Sequence, residues 1–189
     1  MKRIGILALQ GAFAEHKKAI EALGQEGCEI RQQTDLLQRS YDGIILPGGE
    51  STVIGKLLAE LGMMPILKRM ISDGLPVLGT CAGMILLAKE ISNDSRRYLE
   101  AMDIRVRRNA YGRQLGSFQS VDYFQGLGTI PMTFIRAPYI ESVKDAEGVE
   151  VLATVQGQVV AARQRNMLVT SFHPELTEDL SIHKLFLRI

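Results

Sequence analysis

The stretch from Leu75 to Leu87, LPVLGTCAGMILL, constrains the fold of this chain more than any other. A short apolar segment leads into Gly79-Thr80-Cys81-Ala82-Gly83, and a second apolar run begins at Met84. A G-x-C-x-G pentapeptide between a strand and a helix is the cysteine counterpart of the nucleophile elbow. The glycines allow a sharp turn that would place the Cys81 sulfur at a helix N-terminus, where partial positive charge favours a thiolate. On this motif alone, a buried, inert cysteine beside two packing glycines remains an open alternative.

The composition is that of an ordinary globular chain, because 46% of its 189 residues are hydrophobic and 23% are charged. A formal charge of +1 gives no electrostatic argument for nucleic acid, and no apolar run reaches the length of a membrane span. The two cysteines, Cys28 and Cys81, indicate neither a disulfide framework nor a thiolate metal site. We therefore expect one domain over residues 1–189, in a cytoplasmic setting, with no metal, nucleic-acid or membrane partner.

The first half of the chain alternates strand and helix signals, as a doubly wound sheet does. Continuous apolar runs at Ile4–Leu9, before Pro47 and before the elbow are typical of parallel strands that are covered on both faces. Cys28–Arg31 predicts a further strand. An amphipathic helix follows the first strand and is expected to end before Gly24.

The predicted third strand runs into a glycine-rich loop, Pro47-Gly48-Gly49-Glu50-Ser51-Thr52. Glycines at a strand-to-helix junction leave backbone N–H groups unhindered, which suits an anion or an oxyanion. The alternative is a plain tight connection with Ser51 as the helix N-cap. This loop and the elbow should meet at the carboxyl edge of the sheet, where ligands bind in folds of this class.

The second half of the chain is mostly extended. Apolar and charged residues alternate from Ile104 to Arg108, until Tyr111-Gly112-Arg113-Gln114 breaks the pattern, and Gln156-Gly157 is typical of a hairpin turn. Thr177–Arg188 predicts a final amphipathic helix. Further strands are predicted at Phe118–Phe124, Met132–Arg136, Val149–Val155, Gln158–Arg163 and Met167–Phe172. The predicted fold is therefore α/β in three layers, flavodoxin-like, with a mainly parallel mixed sheet, an antiparallel extension and helices on both faces.

A second chemical motif lies at His173-Pro174-Glu175. Proline biases His173 to an extended backbone, so Glu175 can bend back towards its imidazole. A carboxylate there would hold the tautomer of the ring and leave the other nitrogen for a thiol. A cysteine, a histidine and an orienting acid are what nucleophilic acyl transfer requires. A solvated surface pair is the alternative for His173 and Glu175 taken alone.

Together these motifs resemble those of the triad-type glutamine amidotransferases, and more narrowly of the glutaminase subunits of pyridoxal 5′-phosphate synthase. The similarity runs from the first strand to the final helix. The similarity is carried by six blocks: LQGAFAEH at Leu9–His16, ILPGGEST at Ile45–Thr52, GTCAGMILLAKEI at Gly79–Ile91, RRNAYGRQ at Arg107–Gln114, FIRAP at Phe134–Pro138 and SFHPELTED at Ser171–Asp179. Of these, LQGAFAEH, RRNAYGRQ and FIRAP narrow the resemblance to the glutaminase subunits.

The resemblance implies a role for each matching residue. Cys81 would attack the side-chain amide of glutamine and form a γ-glutamyl thioester, while His173 relays protons and Glu175 orients it. One set of residues, called here the oxyanion residues, would hold the oxyanion of the tetrahedral intermediate through backbone N–H groups. A second set would bind free glutamine. The oxyanion residues are Gly48, Gly49 and Ala82; the glutamine-binding residues are Gly49, Glu50, Ser51, Arg108, Ile135 and Arg136.

The charged groups of that second set have a physical rationale, because free glutamine differs from a peptide-bound one by its α-carboxylate and α-ammonium. An arginine binds a carboxylate in bidentate fashion, which makes Arg108 and Arg136 candidates whose roles the sequence does not separate. Arg105 is expected to lie on a solvated strand edge. His16 and His183 fall within helical patterns, so we expect both to be structural and not catalytic.

The resemblance also implies a partner and no cofactor. Family members dock on a barrel-shaped synthase subunit in a hetero-oligomeric complex, with Gln10-Gly11 expected to face it, and that subunit makes pyridoxal 5′-phosphate as a product. Two other classes compete with a glutaminase. A cysteine peptidase or chaperone-like hydrolase needs no glutamine-anchoring loop, and a non-catalytic docking subunit would lack one of Cys81, His173 or Glu175.

Overall fold

The computed structural model describes residues 1–109, 116–143 and 148–189. Its parallel strands at Gly43–Leu46, Val77–Thr80 and Met167–Thr170 coincide with continuous apolar runs of the sequence and are buried along their whole length. The strands are β1 (Arg3–Leu7), β2 (Glu26–Ile30), β3 (Gly43–Leu46), β4 (Val77–Thr80), β5 (Ala88–Ile91), β6 (Met102–Arg107), β7 (Ser117–Phe124), β8 (Gly128–Ile135), β9 (Tyr139–Val143), β10 (Val149–Val155), β11 (Gln158–Gln164) and β12 (Met167–Thr170).

The helices lie mainly between the strands of the first half. They are α1 (Phe13–Ala22), α2 (Gln33–Gln38), α3 (Ser51–Glu60), α4 (Met64–Ser72), α5 (Ala82–Leu87) and α6 (Ser181–Phe186), with a 3₁₀ turn at Pro174–Leu176. Gly24 has φ of 71° just after α1, as its predicted C-terminal role requires. In the described ranges, no helix has both the length and the apolar character needed to cross a membrane.

Ten strands of the described ranges form one mixed sheet, in the order β2-β1-β3-β4-β12-β11-β9-β6-β5 with β10 beside β11. The neighbours from β2 to β12 are parallel, whereas β11 pairs antiparallel with β12, β10 and β9. The predicted α/β fold, with its mainly parallel sheet and antiparallel extension, is confirmed. Four neighbouring parallel strands, β1, β3, β4 and β12, deliver their carboxyl ends to one edge.

Two apolar cores cover the two faces of this sheet. One core receives α3 and α4 through residues such as Ile54 and Leu67, and also contains the elbow helix α5. The other receives α1 and α6 through Ile20 and Phe186, together with Phe134 of β8. The helices on both faces therefore bury the central strands β3, β4 and β12 completely, which is the reason that these strands have no polar face.

The structure corrects several details of the predicted second half. Among the described residues, β7 and β8 pair only with each other and form a separate two-stranded sheet that packs on the second core, instead of extending the central sheet. The final helix begins at Ser181, since the backbone from His173 first makes the 3₁₀ turn. α2, β5 and β9 were not predicted, and the predicted break at Tyr111–Gln114 lies outside the described residues.

The hairpin at Gln156-Gly157 and the alternation in β6 are confirmed. Gln156 and Gly157 have φ of 50° and 76°, and they join β10 to its antiparallel neighbour β11. In β6, Ile104 and Val106 are buried while Arg105 is exposed and pairs with Glu141, its Nε lying 3.2 Å from the carboxylate. This register leaves Arg108, just beyond the strand, half-buried and close to the carboxyl edge.

Candidate active site

Cys81 occupies the sharp turn between β4 and α5, with φ of 49° and ψ of −100°. This conformation is strained for a residue with a Cβ, and such strain is typical of functional turns. The turn is held because the Cys81 N–H donates to the Thr170 carbonyl of β12 at 2.8 Å. The side chain, only 6% exposed, therefore stands at the carboxyl edge with α5 starting directly behind it.

The two glycines of the elbow are required by close packing. A Cβ on Gly83 would lie 2.0 Å from the Leu46 carbonyl oxygen, and a Cβ on Gly79 would lie 2.8 Å from the Gly83 carbonyl carbon. Any side chain at either position would push β4, β3 and α5 apart. The sequence signal G-x-C-x-G is thus explained by backbone contacts across the turn.

His173 reaches the same edge from the end of β12. Its backbone N–H donates to the Thr133 carbonyl of β8 at 2.8 Å, which fixes the segment after the strand. The imidazole lies against the glycine-rich loop, where a Cβ on Gly48 would be 2.2 Å from the His173 Cε1 atom. Gly48 is therefore needed for the histidine to reach Cys81.

The structure brings Cys81, His173 and Glu175 together in a buried row. His173 Nδ1 lies 2.7 Å from Glu175 Oε1, and its other side interacts with the Cys81 thiol. Burial lowers the pKa of His173, but hydrogen bonds to Cys81 and Glu175 and electrostatic interactions with both outweigh it. The pKa of His173 is consequently raised to about 10, so its ring is cationic at neutral pH.

Glu175 is 7% exposed and remains ionised despite its burial. Burial raises the pKa of this carboxyl, yet the nearby His16 and the hydrogen bond from His173 lower it further than burial raises it. Glu175 Oε2 lies 3.3 Å from His16 Nε2. His16 and His183 were expected to be structural; both are buried, but helical spacing alone gave no sign that they lie behind Glu175.

The glycine-rich loop is fixed from the end of β1. The Ala12 N–H donates to the Gly48 carbonyl at 3.0 Å, and Gln10 Oε1 accepts from the Glu50 N–H at 2.8 Å. Gly11, with φ of 97°, allows this contact, because a Cβ there would lie 1.8 Å from the Gly48 oxygen. Ser51 is the first residue of α3 and makes no cap, so the interpretation of Ser51 as an N-cap was wrong.

A cavity of about 270 Å³ opens beside the row. Cys81 and His173 both line it, and Gln10, which the sequence analysis did not assign to the site, forms part of its wall. All the residues assigned to glutamine line it as well. They are Gly49, Glu50, Ser51, Arg108, Ile135 and Arg136. Its size suits a single small molecule held next to the thiol.

The two arginines of the cavity have different surroundings. Arg108 Nη1 lies 2.6 Å from Asp94 Oδ2, so this guanidinium is held in place. Hydrogen bonds from Arg96 and then from Arg108 lower the pKa of Asp94 to about 2. Arg136 is exposed, with φ of 44°, and its backbone N–H donates to the Gly116 carbonyl at 2.5 Å. Among the described residues, the cavity therefore has one fixed and one exposed guanidinium.

Other regions offer weaker sites. A larger, open cavity of about 1100 Å³ lies near the amino ends of β4 and β12, but no cysteine or histidine lines it. In the parts of the chain that the structure describes, no cluster of three or more histidine, cysteine or acidic residues could hold a metal ion. Cys28 and Cys81 are both unpaired thiols.

Comparison with known proteins decides the family. The model of the SNO glutamine amidotransferase family matches residues 6–189. The chain belongs to that family. A relative from Haemophilus influenzae, a pyridoxal 5′-phosphate synthase subunit PdxT, is 58% identical over 189 residues, covering 99% of this chain and 97% of its own. PdxT from Desulfitobacterium hafniense is 57% identical over 185 residues, covering 98% of this chain and 92% of its own.

Solved structures agree with this family. A crystal structure described as a glutamine amidotransferase matches with a TM-score of 0.91 at 45% identity, covering 98% of this chain and 97% of that one. The structure of PurLQS from Thermotoga maritima matches with a TM-score of 0.64 at 16% identity, covering 95% of this chain and 92% of that one. The second likeness shows a common fold only. The resemblance found in the sequence, to the amidotransferases and to their pyridoxal 5′-phosphate synthase members, is confirmed.

Proposed function

We propose that this chain is the glutaminase subunit of a pyridoxal 5′-phosphate synthase, and that its Cys81, His173 and Glu175 hydrolyse L-glutamine to L-glutamate and ammonia. One observation carries the proposal. A cavity of single-molecule size is lined by the thiol, by the imidazole and by every residue that the motifs assign to glutamine. An inert cysteine would need neither a strained turn nor a cationic histidine beside it.

The first half-reaction follows from the charges in the row. The Cys81 thiolate attacks the side-chain amide carbon of glutamine and forms a tetrahedral intermediate. The cationic His173 then gives its proton to the amide nitrogen, the carbon–nitrogen bond breaks, and ammonia leaves behind a γ-glutamyl thioester. Glu175 holds the imidazole through Nδ1 and stabilises its positive charge, which leaves Nε2 directed at the reacting atoms.

The second half-reaction reverses the proton path. His173, now neutral, takes a proton from water, and the resulting hydroxide attacks the thioester carbonyl carbon. The carbon–sulfur bond breaks, glutamate leaves, and the thiolate–imidazolium pair is restored. In both steps the oxyanion is held by backbone N–H groups of Ala82 and of the Gly48-Gly49 loop. The loss of one such donor typically costs about a hundred- to a thousandfold in rate.

The charged wall of the cavity selects free glutamine. Arg108 and Arg136 offer guanidinium donors for the α-carboxylate, and Glu50 offers a carboxylate for the α-ammonium. The fixed position of Arg108 beside Asp94 orients it before substrate arrives, which lowers the entropy cost of binding. Ile135 lines the same cavity, and its carbonyl oxygen lies 3.9 Å from the Cys81 sulfur. Peptide-bound glutamine has neither charge and would be rejected.

The partner is proposed from the names of the relatives, which are subunits of pyridoxal 5′-phosphate synthase. Ammonia released into water would be protonated and lost as a nucleophile, so the reaction needs a docked acceptor. We propose a barrel-shaped synthase subunit in a hetero-oligomeric complex, with Gln10-Gly11 facing it. Pyridoxal 5′-phosphate is then the product of the assembly and not a cofactor of this chain, which acts as one domain, residues 1–189, in the cytoplasm.

Glutamate formation from glutamine tests the proposal directly. The wild-type chain, Cys81→Ala and Cys28→Ser are each assayed alone and with the synthase subunit. Cys28 is the matched control, because it is the other buried thiol and lies in β2 with a hydrogen bond to Glu26. We expect strong turnover for wild type and Cys28→Ser with the partner, weaker turnover without it, and none for Cys81→Ala. Turnover that survives in Cys81→Ala would overturn the proposal.

A further inference from the structure

All three histidines of the chain lie in one connected cluster. His173 follows β12, His16 comes from α1 and His183 comes from α6. His16 Nδ1 lies 2.9 Å from His183 Nε2, and His16 Nε2 lies 3.1 Å from Thr80 Oγ1 and 3.3 Å from Glu175 Oε2. Elements far apart in sequence thus converge behind the carboxylate that holds His173.

The cluster is sealed from solvent. The side chains of His16 and Glu175 are 0% exposed, and His183 is fully buried as well. Within the described residues, two buried atoms of this cluster have no hydrogen-bond partner, namely Glu175 Oε2, which His16 Nε2 approaches to 3.3 Å, and His183 Nδ1. Buried polar atoms without partners are uncommon in proteins, so the proton positions in this cluster have physical consequences.

Those proton positions follow by elimination. Burial lowers the pKa of His16, and burial together with the nearby His16 lowers that of His183 to about 3, so both rings are neutral at pH 7. If His16 carried its proton on Nδ1, its Nε2 lone pair would face the Glu175 carboxylate. His183 would then have to carry its proton on the unpartnered Nδ1. With both protons on Nε2, His183 donates to His16, and His16 donates towards Glu175 and Thr80.

We propose that His16, held in its Nε2–H tautomer by His183, is a positioning residue that presents this N–H to Glu175 Oε2 and so extends the row Cys81–His173–Glu175 by two further side chains. The inference deepens the proposed glutaminase function and rests on it. Because Glu175 Oε1 binds His173 and Oε2 faces His16, the carboxylate is held from both sides. Its rotation would move the imidazole away from the thiol, and His16 prevents that rotation.

A pH effect follows from the same contacts. The charged or titratable groups around Glu175 are His173 beside it, His16 from α1, His183 from α6 behind His16, and Cys81 beyond His173. An N–H of neutral His16 that faces Glu175 Oε2 at 3.3 Å favours the ionised carboxylate, so its removal raises the pKa of Glu175. Activity requires ionised Glu175, and the acid limb of kcat/KM therefore moves to higher pH when His16 is lost.

Kinetics of two variants test this role in the synthase complex. The amide of His16→Gln places an N–H near the position of the imidazole Nε2 and keeps an acceptor for His183, whereas His16→Leu has neither. We expect His16→Leu to lose roughly 10- to 100-fold in kcat with little change in the KM for glutamine, and to shift its acid limb upward by about one pH unit. His16→Gln should restore kcat to within about threefold of wild type. A His16→Leu enzyme with an unshifted limb, or a His16→Gln enzyme as slow as His16→Leu, would overturn the proposal.

A measurement on the wild-type chain needs no activity at all. Long-range ¹H–¹⁵N NMR spectra show which ring nitrogen of each histidine is protonated, and three histidines can be assigned from His16→Gln and His183→Phe. We expect His16 and His183 to be neutral at pH 7 with the proton on Nε2. A proton on Nδ1 of either ring, or an imidazolium at either, would overturn the hydrogen-bond direction. If wild type formed no glutamate, the proposed function would fail while this spectrum still decided the arrangement.

Discussion

The two groups of site residues differ in how firmly the fold holds them. Cys81, His173 and Glu175 follow the central parallel strands β4 and β12, and they are 6%, 6% and 7% exposed. Most residues around the substrate end of the cavity are more open, since Glu50 and Arg136 are exposed and Ile135 is 38% exposed, with Ser51 at the start of α3 the buried exception. Reacting groups are thus fixed by the buried core, while recognition groups stand on loops and strand ends at its border.

This difference has a physical reason. Bond-making groups must be held within fractions of an ångström, which only close-packed elements provide. Recognition of two charged substrate groups tolerates longer and more exposed side chains, because charges act over greater distances. We therefore expect changes in the buried group to reduce kcat or folding, and changes in the exposed group to raise KM.

The largest effect is expected at His173. The His173→Gln variant removes both the proton donor for ammonia and the base for water, so kcat should fall at least about a thousandfold. The KM for glutamine should change little, because the charged wall is untouched. Steady-state glutamate formation in the synthase complex measures both constants. A variant with a raised KM and nearly normal kcat would place His173 in the recognition group.

A packing change at the elbow should have the next largest effect. A Cβ at Gly83 meets the Leu46 carbonyl at 2.0 Å, so Gly83→Ala should lower the free energy of unfolding by about 3 kcal/mol. Gly126→Ala is the matched control, since its φ of 81° brings strain but its Cβ would meet nothing within 4 Å. We expect the control to lose about 1 kcal/mol in urea unfolding. Equal losses would mean that the elbow is not closely packed.

His183, which lies behind His16 in the histidine cluster, should make the stability of the fold sensitive to acid. The pKa of His183 is lowered to about 3 by burial and by His16, whereas an unfolded histidine titrates near 6.5. Between these values the unfolded chain binds the extra proton, so stability falls as the pH falls, by up to about 1.4 kcal/mol per pH unit. His183→Phe should remove this contribution. Urea unfolding of both proteins at pH 4.5 and 6.5 measures it, and identical pH slopes would contradict it.

The smallest effect is expected in the exposed recognition group. Arg136→Met removes one cation from the cavity wall, and we expect the KM for glutamine to rise about tenfold while kcat stays within about threefold. Arg108→Lys keeps the charge but loses the planar fork beside Asp94, and should raise KM as well. A fall in kcat without a rise in KM for either variant would remove the distinction between the two groups of residues.

Much of the parallel half could be predicted from the sequence. The runs that became β1, β3 and β4 are apolar throughout, which identifies strands covered on both faces. The spacing of Gly79 and Gly83 predicted the elbow. The structure shows the reason, because a Cβ at either position would clash with backbone atoms across the turn. The loop at Gly48 was predicted from its glycines in the same way, and a side chain at position 48 would occupy the place of the His173 imidazole.

The rest of the fold depends on contacts that sequence spacing does not encode. The β7–β8 hairpin alternates like any sheet strand, and only packing against Phe172 shows that it covers the second core instead of joining the main sheet. β5 follows α5 without a turn residue, so its apolar start continued the helical pattern. The convergence of His16 and His183 on Glu175 arises from tertiary packing of α1 and α6, which no local pattern reports.

The central claim is that Cys81, and not Cys28, is the nucleophile for glutamine, and covalent labelling tests it most directly. The chain is treated with 6-diazo-5-oxo-L-norleucine, a glutamine analogue that alkylates a nucleophile in a glutamine site, and the adduct is mapped by mass spectrometry. Burial and the hydrogen bond to Glu26 raise the pKa of Cys28, which keeps its thiol protonated and unreactive. We expect one adduct, on Cys81, that excess glutamine prevents and that His173→Gln strongly reduces. An adduct on Cys28, or labelling of Cys81 that glutamine does not prevent, would contradict the account.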